Sequence, residues 1–142
     1  MNGNAELLNY VYQNSQMGTE TIGKILEFVE NETFKRHLQD QYDEYKKINR
    51  ECKEMLHAQG MDEKGIGAME KLTVYLAINV KTVLDKSTSH IAEMLMQGSN
   101  MGIIDAIKKL RKYKDADKDN IKLMEKLLQH EEKNVEELKV FL

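Results

Sequence analysis

Apolar and small residues recur along this chain at steps of three and four, and each long run of them traces one face of a helix. From about Ala5 to Glu30 that face is Leu8, Val11, Ser15, Gly18, Ile22, Leu26 and Val29. After a short turn around Asn31, a second face made of Phe34, Leu38, Gln41, Tyr45, Ile48, Cys52 and Met55 runs to about Ala58, where Gly60 is placed to stop the helix. So tight a connection makes these two helices antiparallel neighbours. The stretch GMDEKGIG reads as a loop, after which Leu72, Leu76, Val80 and Val83 mark a shorter helix ending near DKSTS, whose serines and Thr88 are candidate N-caps. Two further long helices are predicted, from about Ser87 to Tyr113 and from about Asp117 to the last residue, with the polar turn KYKDADKDN between them.

An internal echo links the two halves. The tetrapeptide SQMG at Ser15 to Gly18 returns as SNMG at Ser99 to Gly102, 84 residues later. Carrying that offset along the first helix predicts Ala92, Leu95, Ser99, Gly102, Ala106, Leu110 and Tyr113 as the buried face of its counterpart, so the two hairpins read as copies. The helix from about Glu70 to Asp85 then becomes a crossover that carries the chain from the end of one hairpin to the start of the next. A competing division keeps one helix from about Glu70 to Gln97, stopped by Gly98 and Ser99, and gives an up-down bundle. On the first division the chain resembles the ferritin-like superfamily, and in particular small bacterial helical-bundle members that lack its di-metal motifs. That resemblance implies an all-α fold: a ferritin-like four-helix bundle of two antiparallel hairpins with one additional connecting helix. The length of 142 residues sets residues 1–142 as a single domain.

Metal-binding members of the superfamily offer one carboxylate from each of two helices and a Glu-x-x-His from each of the other two. Glu54 and His57 have that spacing, yet project to the side of their helix opposite Phe34, Leu38, Ile48 and Cys52, toward water. The mid-bundle positions on the first and third bundle helices are Ser15, Gly18, Ser99 and Gly102, none of which bridges a divalent metal. Glu44 and Glu131 occupy comparable places on the other two, and Glu131 falls on the apolar face between Leu128 and Val135; three residues further on stand Lys47 and Asn134 rather than histidines. A carboxylate so placed requires a partner, a proton or a cation to offset its desolvation, and Tyr45 and Gln41 are the nearest candidates. His37 and His90 lie at helix edges, and His130, beside Glu131 and Glu132, is expected to be solvated. The leading reading is a polar layer that fixes which helix faces which, with no cofactor. Its rival is a metal-binding or redox bundle holding iron or manganese at a non-standard site of Glu44, Glu131, His37 and His90.

Composition narrows the remaining classes. Proline is absent and glycine occurs only 8 times, as suits long helices. With 24 acidic against 21 basic residues, the net charge of -3 gives no footprint for a phosphate backbone, so no nucleic-acid partner is expected. No stretch reaches the ~20 apolar residues of a membrane span, and MNGNAELLNY lacks an export signal. A single cysteine, Cys52 on an apolar stripe, suits a reducing, cytoplasmic setting. No Ser, Cys or Asp set forms a nucleophile with its base, and KGIG follows no strand, so whether the chain is an enzyme stays open. A second stripe on the first helix, Tyr10, Met17 and Phe28 with Asn14 and Thr21 between them, requires cover, which the connecting helix supplies in part and a homodimer through helix faces supplies for the rest, the alternative being burial within one bundle of five helices. The expected function is a non-catalytic structural or protein-interaction module.

Overall fold

A computed structural model of the protein describes residues 3–63 and 85–142. Among them the chain is all-helical: α1 (Asn4–Leu26), α2 (Glu32–Ala58), α3 (Thr88–Lys112) and α4 (Lys118–Leu138), the last closed by a 3-10 turn, Lys139–Phe141. Local chemistry sets the ends. The Asn31 side chain accepts a hydrogen bond from Phe34 N at 2.9 Å and opens α2; Ser87 does the same for His90 N at 3.2 Å and opens α3. At the far end of α2, Gly60 adopts a left-handed φ of 73°, which lets Met61 N reach back to Leu56 O at 2.9 Å and Gly60 N to His57 O at 3.0 Å. This paired closure satisfies carbonyls the helix would otherwise leave bare.

The four helices form a bundle in which α1 packs mainly on α2 and α3 mainly on α4, the two pairs meeting chiefly through α1 and α4. Its core is apolar at both ends: Leu7, Leu8, Val11 and Ile25 of α1, Phe34, Leu38, Ile48 and Leu56 of α2, Ile91 and Ala92 of α3 and Leu138 of α4 are all fully buried. The face carried over by the 84-residue offset is found where expected. Ala92, Leu95, Ser99, Gly102 and Ala106 are buried on α3, with Leu110 and Tyr113 half-buried at its end. On α2 the apolar stripe ends on Leu56 rather than Met55, which is half-buried.

Two boundaries depart from the sequence reading. α1 ends at Leu26, not near Glu30, because the chain tightens there into i to i+3 bonds, Glu27 N to Lys24 O at 3.2 Å and Phe28 N to Ile25 O at 3.1 Å. α3 passes through Gly98 and Ser99 without a break, so the stop required by a helix from Glu70 to Gln97 does not exist. The proposed crossover stripe, Leu72, Leu76, Val80 and Val83, lies outside the described residues. No helix among the described residues is long and apolar enough to cross a membrane.

Candidate functional site

Half-way along the bundle the apolar core gives way to polar side chains, and all four helices contribute. Glu131 of α4 is 2 % exposed, and Tyr45 of α2 donates its hydroxyl hydrogen to Glu131 Oε1. Ser99 of α3 adds a hydrogen bond to the same carboxylate. Asn134, one turn along α4, directs its Nδ2 to the Tyr45 hydroxyl at 3.5 Å and to His130 Nε2 at 3.1 Å, while the His130 ring meets Tyr45 edge-on with centroids 4.5 Å apart. On α1, Asn14 Nδ2 donates to the Tyr10 hydroxyl at 3.4 Å, and that hydroxyl donates to Gly102 O of α3 at 3.0 Å.

The repeated tetrapeptides acquire a physical meaning here. A Cβ on Gly18 would come within 2.7 Å of the Tyr45 ring, and one on Gly102 would lie 3.1 Å from Asn14 Nδ2 and 3.6 Å from Glu131 Oε2. Each glycine clears space for a large polar side chain of the layer. The serines beside them carry hydrogen bonds between helices: Asn49 of α2 donates to Ser15 Oγ at 3.0 Å and to Tyr12 O at 3.1 Å, and Ser99 serves Glu131.

Burial controls the protonation of the layer. Desolvation pushes the Glu131 carboxyl up to about 7, against the hydrogen bonds from Tyr45 and Ser99, which favour the ionised form. The same desolvation, with the nearby carboxylate, holds the Tyr45 phenol well above its ordinary value. It also lowers His130 to about 4, so this imidazole is neutral and accepts from Asn134 through Nε2. Beside Glu131 lies a cavity of about 40 Å³ whose polar lining comes from Asn14, Thr21, Gln41, Tyr45, Ser99 and Glu131. A wider groove of about 450 Å³ between α2 and α4 is lined by Asp40, Glu44, Lys126, Lys133, His130 and Glu137 among others.

The four residues of the metal reading occupy separate surroundings. Glu131 is in the interior, and Glu44 is half-buried in the α2/α4 groove. His37 accepts from Gln41 Nε2 at 2.7 Å and directs Nδ1 to Glu137 Oε2 at 3.2 Å. Burial lowers its pKa against the pull of Glu137. His90 sits in the first turn of α3, 4.0 Å from Glu93. Among the described residues no group of three or more His, Cys, Asp or Glu side chains is arranged to share a metal ion. Glu54 is exposed, and His57 pairs with Glu63 at 2.6 Å on the surface.

The sequence reading anticipated Tyr45 and Gln41 beside Glu131 and missed Asn14, Asn134 and His130. His130 is 8 % exposed rather than solvated. The signal was present: Leu127, His130, Glu131, Asn134 and Leu138 share one face of α4 at helical spacing, and the flanking charges at 132 and 133 obscured it. Of the residues expected to need an outside partner, Tyr10 and Met17 are 4 % and 7 % exposed within the single chain, and Phe28 is half-buried with Lys86 Nζ 5.1 Å above its ring.

No protein-family model matches this chain, and no curated protein or solved structure matches it either. Its function must be argued from its own residues.

Proposed function

We propose that this chain is a non-catalytic structural or protein-interaction module, built on a ferritin-like plan of two antiparallel hairpins joined by a connecting helix, and working in the cytoplasm. The observation that carries the reading is how the mid-bundle polar groups are used. Tyr45 joins α2 to Glu131 of α4, Tyr10 joins α1 to the backbone of α3, and Asn49 joins α2 to α1. Hydrogen bonds of this kind contribute about 1 kcal/mol each, but leaving one buried partner bare costs about 1–3 kcal/mol, so a shifted helix pairing is penalised more than the correct one is favoured. The register along α1 and α2 supports the hairpin: Cys52 Sγ meets Leu8 O at 2.9 Å, Asn49 meets Tyr12, and Tyr45 meets Gly18, so later residues of α2 oppose earlier ones of α1.

Elemental analysis of the protein purified without chelator, alongside Glu131→Ala, tests this reading. Protein free of iron, manganese and zinc, with its helical content intact, is expected. Stoichiometric iron or manganese that disappears in Glu131→Ala would instead place the metal-binding reading first. Homodimerisation through helix faces belongs to the same proposal, and light scattering of the unaltered chain measures it. Met17 is not the residue to change, since a charge there would disturb the interior before it reported on association.

A further inference from the structure

Glu131 is a buried carboxylate for which, among the described residues, no lysine or arginine serves as a partner. Its hydrogen bonds come from neutral hydroxyls. Such a group must take up a proton or acquire a counter-charge, because an isolated ionised carboxylate in a low-dielectric interior is among the costliest arrangements a protein can hold. The cavity beside it offers room for the counter-charge. At about 40 Å³ it exceeds the roughly 10–15 Å³ that one water-sized particle requires, so an ion and a water or two fit.

Apolar side chains, Met17, Ile22 and Leu95, make up one part of the lining, and oxygen-bearing side chains cluster at Glu131. Tyr45 has already donated its hydrogen to Glu131. The Asn14 amide nitrogen is directed at the Tyr10 hydroxyl, and the Gln41 amide nitrogen at His37 Nε2. Each amide nitrogen spends one of its two N–H groups on those partners, and each amide also carries a carbonyl oxygen able to ligate a cation, beside the hydroxyls of Thr21 and Ser99 and the carboxylate itself. Hard oxygen donors around a single negative charge suit an ion of charge +1. A calcium ion takes several charged oxygens and magnesium retains its waters, whereas among the described residues Glu131 is the one carboxylate lining this cavity.

We propose that this cavity binds one small, largely dehydrated monovalent cation, of the class of sodium, potassium or ammonium, against the Glu131 carboxylate. The site lies between all four helices, so occupancy ties α1 to α2, α3 and α4 and adds to the structural role proposed above without depending on it. Proton and cation compete for the same oxygens, and the ion binds only where Glu131 is ionised. Among the described residues facing the carboxylate, Tyr10 of α1, which lies beside Asp105 and Lys109 of α3, and Tyr45 of α2 have phenols raised by burial and stay neutral over the relevant range, and the imidazole of His130 of α4 is lowered to about 4.

The test compares thermal midpoints in sodium, potassium, ammonium and choline chlorides at equal ionic strength, at about pH 8.5 and about pH 5, which bracket the carboxyl titration. At the higher pH at least one small cation is expected to raise the midpoint by a few degrees over choline, by preferential binding to the folded state. That preference should vanish at the lower pH and in Glu131→Gln. Near neutrality, exchanging choline for the preferred ion should release protons from the wild-type protein. Equal midpoints in all four salts at the higher pH, with no proton release, would mean the cavity holds water alone and would overturn the proposal, as would an ion preference retained by Glu131→Gln. Should that variant fail to fold, Thr21→Val takes its place with a weakened ion preference expected, and the wild-type proton release decides independently.

Discussion

Adding one methyl group at Gly18 tests the packing of the polar layer directly. In Gly18→Ala the new Cβ would lie 2.7 Å from Tyr45 Cδ2 and 2.8 Å from its Cγ and Cε2, well inside the roughly 3.5–4.0 Å at which carbon atoms rest in contact. The ring has little freedom to retreat, because its hydroxyl is bonded to Glu131 and its face meets the His130 edge. Overpacking of this kind costs about 1–3 kcal/mol. Pulling the phenol away from a buried carboxyl adds about 1–3 kcal/mol, and the better helix propensity of alanine offsets about 1 kcal/mol. The expected outcome is a net loss of about 3 kcal/mol, read from urea unfolding followed by far-UV circular dichroism. Gly23 provides the control on the same helix. A Cβ there would meet only Tyr42 Cε2, at an ordinary 3.7 Å, so Gly23→Ala should gain about 0.5–1 kcal/mol from the reduced freedom of the unfolded chain. If Gly18→Ala proved as stable as wild type, or shifted in the same direction as Gly23→Ala, the account of why a glycine stands at that position would be wrong.

Three further outcomes follow from the same geometry. Glu131, with its folded value raised to about 7, contributes stability that is fully present below its unfolded value near 4.5 and lost as pH rises through 7; His130, lowered to about 4, contributes stability present above about 6.5 and lost as pH falls toward 4. Each amounts to at most about 3 kcal/mol, so they oppose one another between about pH 4.5 and 6.5, where wild-type stability should be nearly flat while that of Glu131→Gln climbs steeply with pH; parallel profiles of the two proteins would contradict this. Asn31→Ala removes the acceptor for Phe34 N and should cost about 1 kcal/mol in urea unfolding, whereas Asn31→Asp should cost little. Cys52 is 0 % exposed, hydrogen-bonded to Leu8 O, with its thiol pushed up to about 12 by burial, and should resist thiol reagents until denaturant is added; rapid labelling of the native protein would place it outside the core.

Much of the bundle was legible because helical periodicity and end signals agree. The Asn31 and Ser87 caps and the Gly60 closure stand where residue chemistry places them, and the echo of Ser15 and Gly18 in Ser99 and Gly102 predicted a buried face on α3 that its apolar residues alone leave thin. The polar layer was legible only in part. Glu131 stood out as a charge on an apolar face, and Tyr45 followed from its place on the opposing stripe. Asn14 and His130 did not, since each stands in a run of polar residues, and only three-dimensional packing decides which residues of such a run turn inward. The surroundings of Tyr10 and Met17 escaped for the converse reason: a second apolar face on a helix announces that something covers it without saying whether the cover belongs to the same chain.

The most direct measurement is the titration of the Glu131 side-chain carboxyl followed by carbon NMR in the native protein. With Tyr45 and Ser99 as its neutral partners in the buried layer, and with choline replacing any small cation, the carboxyl should titrate at about 7, and Tyr45→Phe, by removing a donor to the ionised form, should move it higher still. With choline as the sole added cation, a carboxyl that titrates in the ordinary range near 4.5, and is indifferent to Tyr45→Phe, would show that Glu131 meets bulk water instead and would contradict the polar layer on which this account of the protein rests.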